Sequence, residues 1–358
     1  MTDTQITVPP FYCPIPPAVQ GQFHELADSS MEWAQRIGIC PDQHHQARVL
    51  ASASAEFAAR TAPHGSTDRL RVYADFVHWA FAFDDVRCDG KDLTELVPLV
   101  ARLLRMLEGV NHRLCGDDPF LIALHDIAVR FRDCATPVQF RRWLEAHRQW
   151  LFGVVQINAG SRQDHTLPLE QYLIARFHDG GGPVVTTMME AMELGPGRDV
   201  PGHEMDSPAV RALTEACWTI AIWDNDRISR YKEIRGRTDR CNLVDVLMHA
   251  HGWSPHRALQ EVVALRDRAL RQFLELRERQ LSKASPELRD YLTGLGHVIR
   301  GNIDWSLSVA RYNTVFDPED WSVVEKLAIG ARVIEQQDLE ERSAPTMPSI
   351  AWWWDPET

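Results

Sequence analysis

The chain is short of positive charge: 38 lysines and arginines stand against 50 aspartates and glutamates, a formal net charge of −12. That balance argues against nucleic acid or an anionic membrane surface as the main partner. An anionic substrate then needs a local counter-charge, either bound metal ions or a small basic cluster. Paired cysteines are missing too. The seven cysteines are odd in number and scattered, with no CxxC spacing, so reduced thiols in a cytoplasm are expected. No apolar run reaches the roughly 18 residues that a membrane span needs. The opening "MTDTQITVPPFYCPIPP" lacks a basic region followed by an apolar one, so no signal peptide is expected. Period-two alternation between turn residues is nearly absent, as are repeats of fixed period and low-complexity linkers.

What remains is helical periodicity. Of the 358 residues 44% are apolar, enough for a sizeable core. "DRLRVYADFVHWAFAF", "LVPLVARLLRMLEGV", "VQFRRWLEAHRQWLFGVV" and "RALQEVVALRDRALRQFLEL" all carry apolar residues three and four apart. Thr136-Pro137, Ser254-Pro255 and Ser285-Pro286 each offer an N-cap oxygen followed by proline at the first helical position. The pattern predicts one all-α domain of about ten to twelve helices over residues 21–340. The proline-rich residues 1–20 are expected to run extended over the surface. For the tail, residues 341–358 with "AWWWDPET", packing on the surface, covering a site and disorder all stay open.

Two constellations carry chemistry. In "FAFDDVRCDG", Asp84, Asp85 and Asp89 follow an apolar helix face made by Tyr73, Phe76, Val77, Ala80 and Phe81. Anions at a helix C-terminus are disfavoured unless a cation compensates, and hard cations such as Mg²⁺ take carboxylate oxygens. A solvated loop of acids closing the helix is the competing reading. In "WDNDRISRYKE", Asn225, Ser229 and Glu233 are spaced four apart, so they line one helix face over two turns. Amide, hydroxyl and carboxylate oxygens can together chelate one Mg²⁺, and the adjacent Lys232 can reach an anion held there. A polar face of solvated ion pairs involving Asp226, Arg230 and Glu233 is the alternative.

Taken together, the two constellations resemble the class I terpene cyclases, in which an acidic motif follows an aromatic helix and a helical Asn-Asp-x-x-Ser-x-x-Lys-Glu motif lies downstream. The second motif stands complete at 225–233. The first departs from the commonest form: Cys88 occupies the slot of the usual third acid, and Asp89 comes one later, as in bacterial members with longer spacing. Asp84 is therefore expected to hold metal, with Asp85 supporting and Asp89 dispensable as a direct ligand. "RFHDG" places Arg176, Asp179 and Gly180 like the family's diphosphate sensor, linker and effector. An arginine fork suits phosphate oxygens, and Gly180-Gly181-Gly182 permits a helix break close to a ligand. Arg311-Tyr312 resembles the family's diphosphate-binding Arg-Tyr pair. Trp305, seven residues earlier, resembles its cavity-lining tryptophan, whose π-face stabilises a carbocation.

The resemblance spans residues 57–312. It implies a single-domain class I terpenoid synthase α-helical bundle with a central apolar cavity, three Mg²⁺ ions, a linear isoprenyl diphosphate substrate and, commonly, a homodimer. Arg176, Lys232, Arg311 and Tyr312 are then expected to neutralise the leaving diphosphate. Phe57, Phe81, Trp218 and Trp305 are expected to line the hydrocarbon side. Ala80 and Gly181-Gly182 are small, and small residues leave room for a longer chain, which favours C20 geranylgeranyl over C15 farnesyl diphosphate. A chain-elongating prenyltransferase would carry two Asp-rich motifs, whereas the second motif here is Asn/Ser/Glu. A non-catalytic helical binding protein would have no reason to keep these positions together.

Overall fold

The computed structural model describes residues 4–40, 50–88, 91–161, 166–236, 242–317, 322–337 and 341–356. Among them are twelve helices of eight or more residues. In chain order these are α1 (Phe23–Ile37), α2 (Ser54–Thr61), α3 (Thr67–Phe83), α4 (Leu93–Gly109), α5 (Pro119–Cys134) and α6 (Pro137–Ser161). They continue as α7 (Leu169–Asp179), α8 (Gly182–Leu194), α9 (Pro208–Gly236), α10 (Leu243–His251), α11 (Pro255–Leu281) and α12 (Pro286–Ser308). No described helix is long and apolar enough to cross a membrane. The three Ser/Thr-Pro starts fall where the sequence places them. Ser254 Oγ accepts from the Arg257 amide at 3.4 Å, and Ser285 Oγ from the Leu288 amide at 3.1 Å. Thr136 forms a reciprocal box: its hydroxyl accepts from the Gln139 amide at 3.1 Å, and Gln139 Oε1 accepts from the Thr136 amide at 3.0 Å.

The helices surround a cavity of about 370 Å³, walled chiefly by α3, α6, α7, α9 and α12. Two of its walls change character along their length. On α3 the lining runs Phe76, Val77, Ala80, Phe81, then Asp84 and Asp85 just beyond its end. On α9 it runs Trp218, Ala221, Ile222, then Asn225, Ser229, Lys232 and Glu233. These steps of three and four keep each series on one helix face. The cavity is therefore apolar at one end and polar at the other.

The expectation of a surface-lying N-terminal segment is corrected. Val8, Phe11, Cys13 and Ile15 are buried. Strand β1 (Thr4–Thr7) pairs in parallel with β4 (Val323–Gly330), which also pairs antiparallel with β3 (Thr314–Phe316). Strand β2 (Phe11–Tyr12) pairs in parallel with β5 (Val333–Ile334). Arginines from three helices hold the segment. Arg227 Nη2 on α9 donates to the carbonyls of Pro9 and Pro10 at 2.8 and 3.0 Å, and its guanidinium lies 4.1 Å over the Phe11 ring. Arg266 on α11 donates to the Tyr12 carbonyl, and Arg300 on α12 to that of Ile15 at 2.7 Å. Proline-rich backbone has carbonyls without matching N–H groups, and these fixed donors satisfy them. The C-terminal tail packs down as well. Trp353 is buried, its indole donates to Glu215 Oε2 on α9 at 3.2 Å, and its carbonyl accepts from Gln272 on α11 at 2.7 Å.

Candidate active site

Helix α3 does not stop at the acids but widens into a π-helical turn, Asp84–Cys88. Such turns carry one extra residue per winding and recur at functional sites. Here the turn presents both carboxylates and Cys88 to the cavity. Asp85 is buried, and both its oxygens accept from Arg311, at 3.0 Å from Nη1 and 2.9 Å from Nη2. Burial opposes charge on Arg311, but Asp85 outweighs it and the guanidinium is held firmly protonated. Asp84 sits in the opposite situation. Burial, then the neighbouring carboxylates of Asp179 and Asp85, push it up to about 7 against the pull of Arg311 and Arg176.

On α9, Asn225, Ser229 and Glu233 all face the cavity, as their spacing predicts. Asn225 donates through Nδ2 to the Tyr312 hydroxyl at 2.5 Å and accepts from Arg176 Nη2 at 3.3 Å. Burial pushes the Tyr312 phenol up to about 12, so its proton stays on. Glu233 Oε2 accepts from Asn242 at 3.0 Å. Lys232 Nζ lies 5.9 Å from the Tyr312 ring centroid. The two motifs are thus joined through one contact path: Asp85 to Arg311, its chain neighbour Tyr312, and then Asn225.

Arg176, at the end of α7, donates to Asp179 at 2.8 Å and to Asp226 at 3.0 Å. Gly180 and Gly181 then break the chain before α8, with Gly181 in the left-handed region at φ +73°. Such a φ favours glycine. Gly182 is required for a different reason. A Cβ there would stand 1.7 Å from Trp218 Cδ1, so the Trp218 indole lies directly on the glycine backbone. The space that a small residue was expected to leave for substrate is filled by that ring.

The hydrocarbon end is aromatic. Phe81 stacks on Trp305 with centroids 5.7 Å apart and an 18° tilt, while the Arg311 guanidinium lies 4.4 Å from the Phe81 centroid. Phe57 and Tyr312 meet Trp305 edge-on at 5.1 and 5.5 Å. The Trp305 indole N–H is satisfied by the Ser52 carbonyl at 2.8 Å, which fixes the ring. Phe81 is therefore sandwiched at the junction of the two ends.

Every described candidate lines this one cavity: Phe57, Phe81, Asp84, Asp85, Arg176, Asp179, Gly180, Trp218, Asn225, Ser229, Lys232, Glu233, Trp305, Arg311 and Tyr312. Asp89 lies outside the described residues. Asp85, expected to support Asp84 at the metal, gives both oxygens to Arg311. The sequence reading also missed Asp226 and Tyr172. Asp226 is fully buried rather than a solvated ion-pair partner. Its oxygens accept from Arg176, from the Tyr172 hydroxyl and from the Leu243 amide at 2.9 Å. Tyr172 stands four residues before Arg176, a spacing that places both on one face of α7 and was there to be read.

The donor set fits Mg²⁺. Ser229 Oγ is buried in the cavity wall with no hydrogen-bond partner among the described residues, an orphan that a metal bond would satisfy. Asp84, raised first by burial and then by the carboxylates of Asp179 and Asp85, is a carboxyl that a bound cation would hold ionised. All the donors are hard oxygens.

Residues 75–272 match a family model described as "Terpene synthase family 2, C-terminal metal binding". The chain is 38% identical over 365 residues to the spiroviolene synthase of Streptomyces violens, covering 99% of this chain and 98% of that one. It is 33% identical to the (+)-T-muurolol synthase of Streptomyces clavuligerus, described as cyclising (2E,6E)-farnesyl diphosphate, over 96% of this chain and 81% of that one. A crystal structure of the SVS_A2 protein from ancestral sequence reconstruction superposes with a TM-score of 0.83 at 39% identity, covering 97% of this chain and 98% of that chain. With a matching family model over more than half its length and full-length relatives above 30% identity, the chain belongs to the terpene synthase family.

Proposed function

We propose that this enzyme is an Mg²⁺-dependent class I cyclase that ionises a linear isoprenyl diphosphate and closes the carbocation into a polycyclic hydrocarbon or alcohol. The observation that carries the reading is the two-ended cavity. One end gathers Asp84, Asn225, Ser229 and Glu233 with the bases Arg176, Lys232 and Arg311, and the other is walled by Phe57, Phe81 and Trp305. Asp84, Asn225, Ser229 and Glu233 would hold the three Mg²⁺ ions of the proposal, which when bound supply positive charge to the leaving diphosphate. Arg176, Lys232, Arg311 and the Tyr312 hydroxyl bind the diphosphate oxygens. Asp85 and Asp226 position two of these groups: Asp85 aims Arg311, and Asp226 with Asp179 aims Arg176. Fixed donors of this kind are most effective where charge develops on the departing group. The aromatic walls exclude water, and their π-electron density stabilises the carbocation, with Phe81 packed between Trp305 and Arg311 to hold the wall in place. An Asn/Ser/Glu second motif in place of a second Asp-rich one separates this reading from chain elongation.

For substrate length the proposal is geranylgeranyl diphosphate, supported by Ala80 in the cavity wall. Farnesyl diphosphate is the second reading, favoured by the Trp218 ring over Gly182, which shortens the space on that side. The six cysteines among the described residues are free thiols, in keeping with a reducing cytoplasm. Incubation with Mg²⁺ and geranyl, farnesyl or geranylgeranyl diphosphate, followed by analysis of the hydrocarbon extract, tests the proposal. Cyclic product from the C20 substrate is expected. Cyclic product from C15 alone transfers the assignment to the second reading, and linear or no product from all three overturns it.

A further inference from the structure

The far end of the bundle carries a second group of ligand-type side chains. His64 lies in the link between α2 and α3, Glu193 in the last turn of α8, and His297 in α12. The 17 residues of α3 separate this link from Asp84, about 25 Å at 1.5 Å per residue. The cluster is thus remote from the diphosphate end.

Its geometry is close. His64 Nδ1 lies 3.1 Å from Glu193 Oε2, and the His64 backbone N–H donates to Glu193 Oε1 at 3.0 Å. The two imidazole centroids are 5.1 Å apart. One ligand-type atom from each residue falls within 4.8 Å of the other two. The Glu193 side chain is only 6% exposed, and His297 Nδ1 is buried with no hydrogen-bond partner among the described residues. Helix approach accounts for the pairing. A Cβ on Gly294 would stand 2.1 Å from Met189 Sδ, so α8 and α12 pack tightly there. Glu193 and His297 lie one turn further along their helices.

We propose that His64, Glu193 and His297 form a second metal site, taking one zinc-class ion with water completing the shell and tying the α2–α3 link to α8 and α12. Two imidazole nitrogens and a carboxylate are a zinc donor set, whereas Mg²⁺ prefers oxygen alone. Ligands about 2.1 Å from a tetrahedral ion stand about 3.4 Å apart, so the site closes with a shift on the order of 1 Å. His64, whose side chain is 65% exposed, is free to make it.

Calorimetric titration of the full chain with Zn²⁺, in excess Mg²⁺, tests the proposal. One ion per chain is expected, with affinity falling on the order of 100-fold in His64→Ala while turnover with Mg²⁺ is unchanged. Co²⁺ should give the visible bands of a four-coordinate site in the wild type and lose them in both His64→Ala and His297→Gln. Because His64 is exposed, its variant folds, and circular dichroism confirms it. Zn²⁺ that titrates identically into the wild type and His64→Ala, or does not bind either, overturns the proposal.

Discussion

Replacing Gly182 with alanine adds one methyl group where the structure has room for none. The new Cβ would overlap Trp218 at 1.7 Å from Cδ1 and 1.8 Å from Cγ. Ordinary carbon contacts begin near 3.5 Å, so the indole must retreat by about 2 Å. Trp218 is 7% exposed, so it has no solvent to move into, and it lines the cavity. Overpacking of this kind costs about 1–3 kcal/mol, offset by up to ~1 kcal/mol because alanine suits a helix better than glycine. Loss of thermal stability should therefore be small, a few degrees. The larger effect falls on the product, because the displaced indole changes the contour on which the chain folds. Gly182→Ala should alter the product mixture, and in a Trp218→Ala background, itself destabilised by loss of the buried ring, the same glycine change should cost nothing further, a coupling of about 1–3 kcal/mol in a double-mutant cycle. Gly181→Ala provides the contrast. Its Cβ would meet Trp150 at an ordinary 3.7 Å, but its φ of +73° makes the cost one of backbone strain. Removing Trp218 should not rescue that variant. Melting curves and product analysis of the set decide the matter. An unchanged melting temperature and product mixture in Gly182→Ala would refute the steric argument.

Three further outcomes are expected. Asn225→Ala should lose most turnover while its circular dichroism spectrum stays native, since the amide contacts Tyr312 and Arg176 at the polar end; full activity in that variant would remove it from the metal assignment. Asp85→Asn leaves the buried Arg311 guanidinium without its counter-charge, a change that costs about 3–5 kcal/mol in such pairs, and denaturant unfolding should show it alongside the loss of diphosphate binding. Burial pushes Glu190 on α8 up to about 7, with Asp199 adding to the rise and Arg142 opposing it. Its folded-state value thus exceeds the unfolded one, so its stabilising contribution is full below about pH 4.5 and is lost as pH rises through about 7. Unfolding at pH 5 and pH 8 should show a decline that Glu190→Gln flattens.

The helical motif was legible because helix geometry is periodic. Knowing that residues 223–233 are helical is enough to put Asn225, Ser229 and Glu233 on one face, and they all line the cavity. The caps were legible for the same reason: an N-cap acts within three residues of its own position. Contacts across long sequence separations were not. Asp85 and Arg311 are 226 positions apart, and nothing local to either says that their side chains meet. Asp226 shows the limit within a motif. It sits one residue off the Asn-Ser-Glu stripe, about 100° round the helix, so periodicity alone assigns it to another face. Only the packing of α7 reveals that the other face is occupied by Arg176 and Tyr172.

The N-terminal segment and Gly182 were misread for a shared physical reason: a residue's surroundings are supplied by other parts of the chain. Proline-rich backbone reads as surface because it cannot complete a hydrogen-bonded ladder. It becomes buried here because Arg227, Arg266 and Arg300 bring donors to its carbonyls, while Asp224 balances the first two, accepting at 3.2 Å from Arg227 and 2.7 Å from Arg266. Those arginines look like solvated helix charges in sequence. Asp224 and Arg227 belong to the same helix as Asn225 and Ser229, so the contacts that bury the N-terminal segment also brace the helix carrying the second motif. Gly182 makes the parallel point about volume. A missing side chain creates space only if no neighbour takes it, and at Gly182 the neighbour is the largest side chain available. Small residues along a cavity wall are therefore informative about substrate length only after the opposite ring has been located. By that criterion Ala80, which lines the cavity beside Phe81, is the position at which a larger side chain should shorten the accepted substrate.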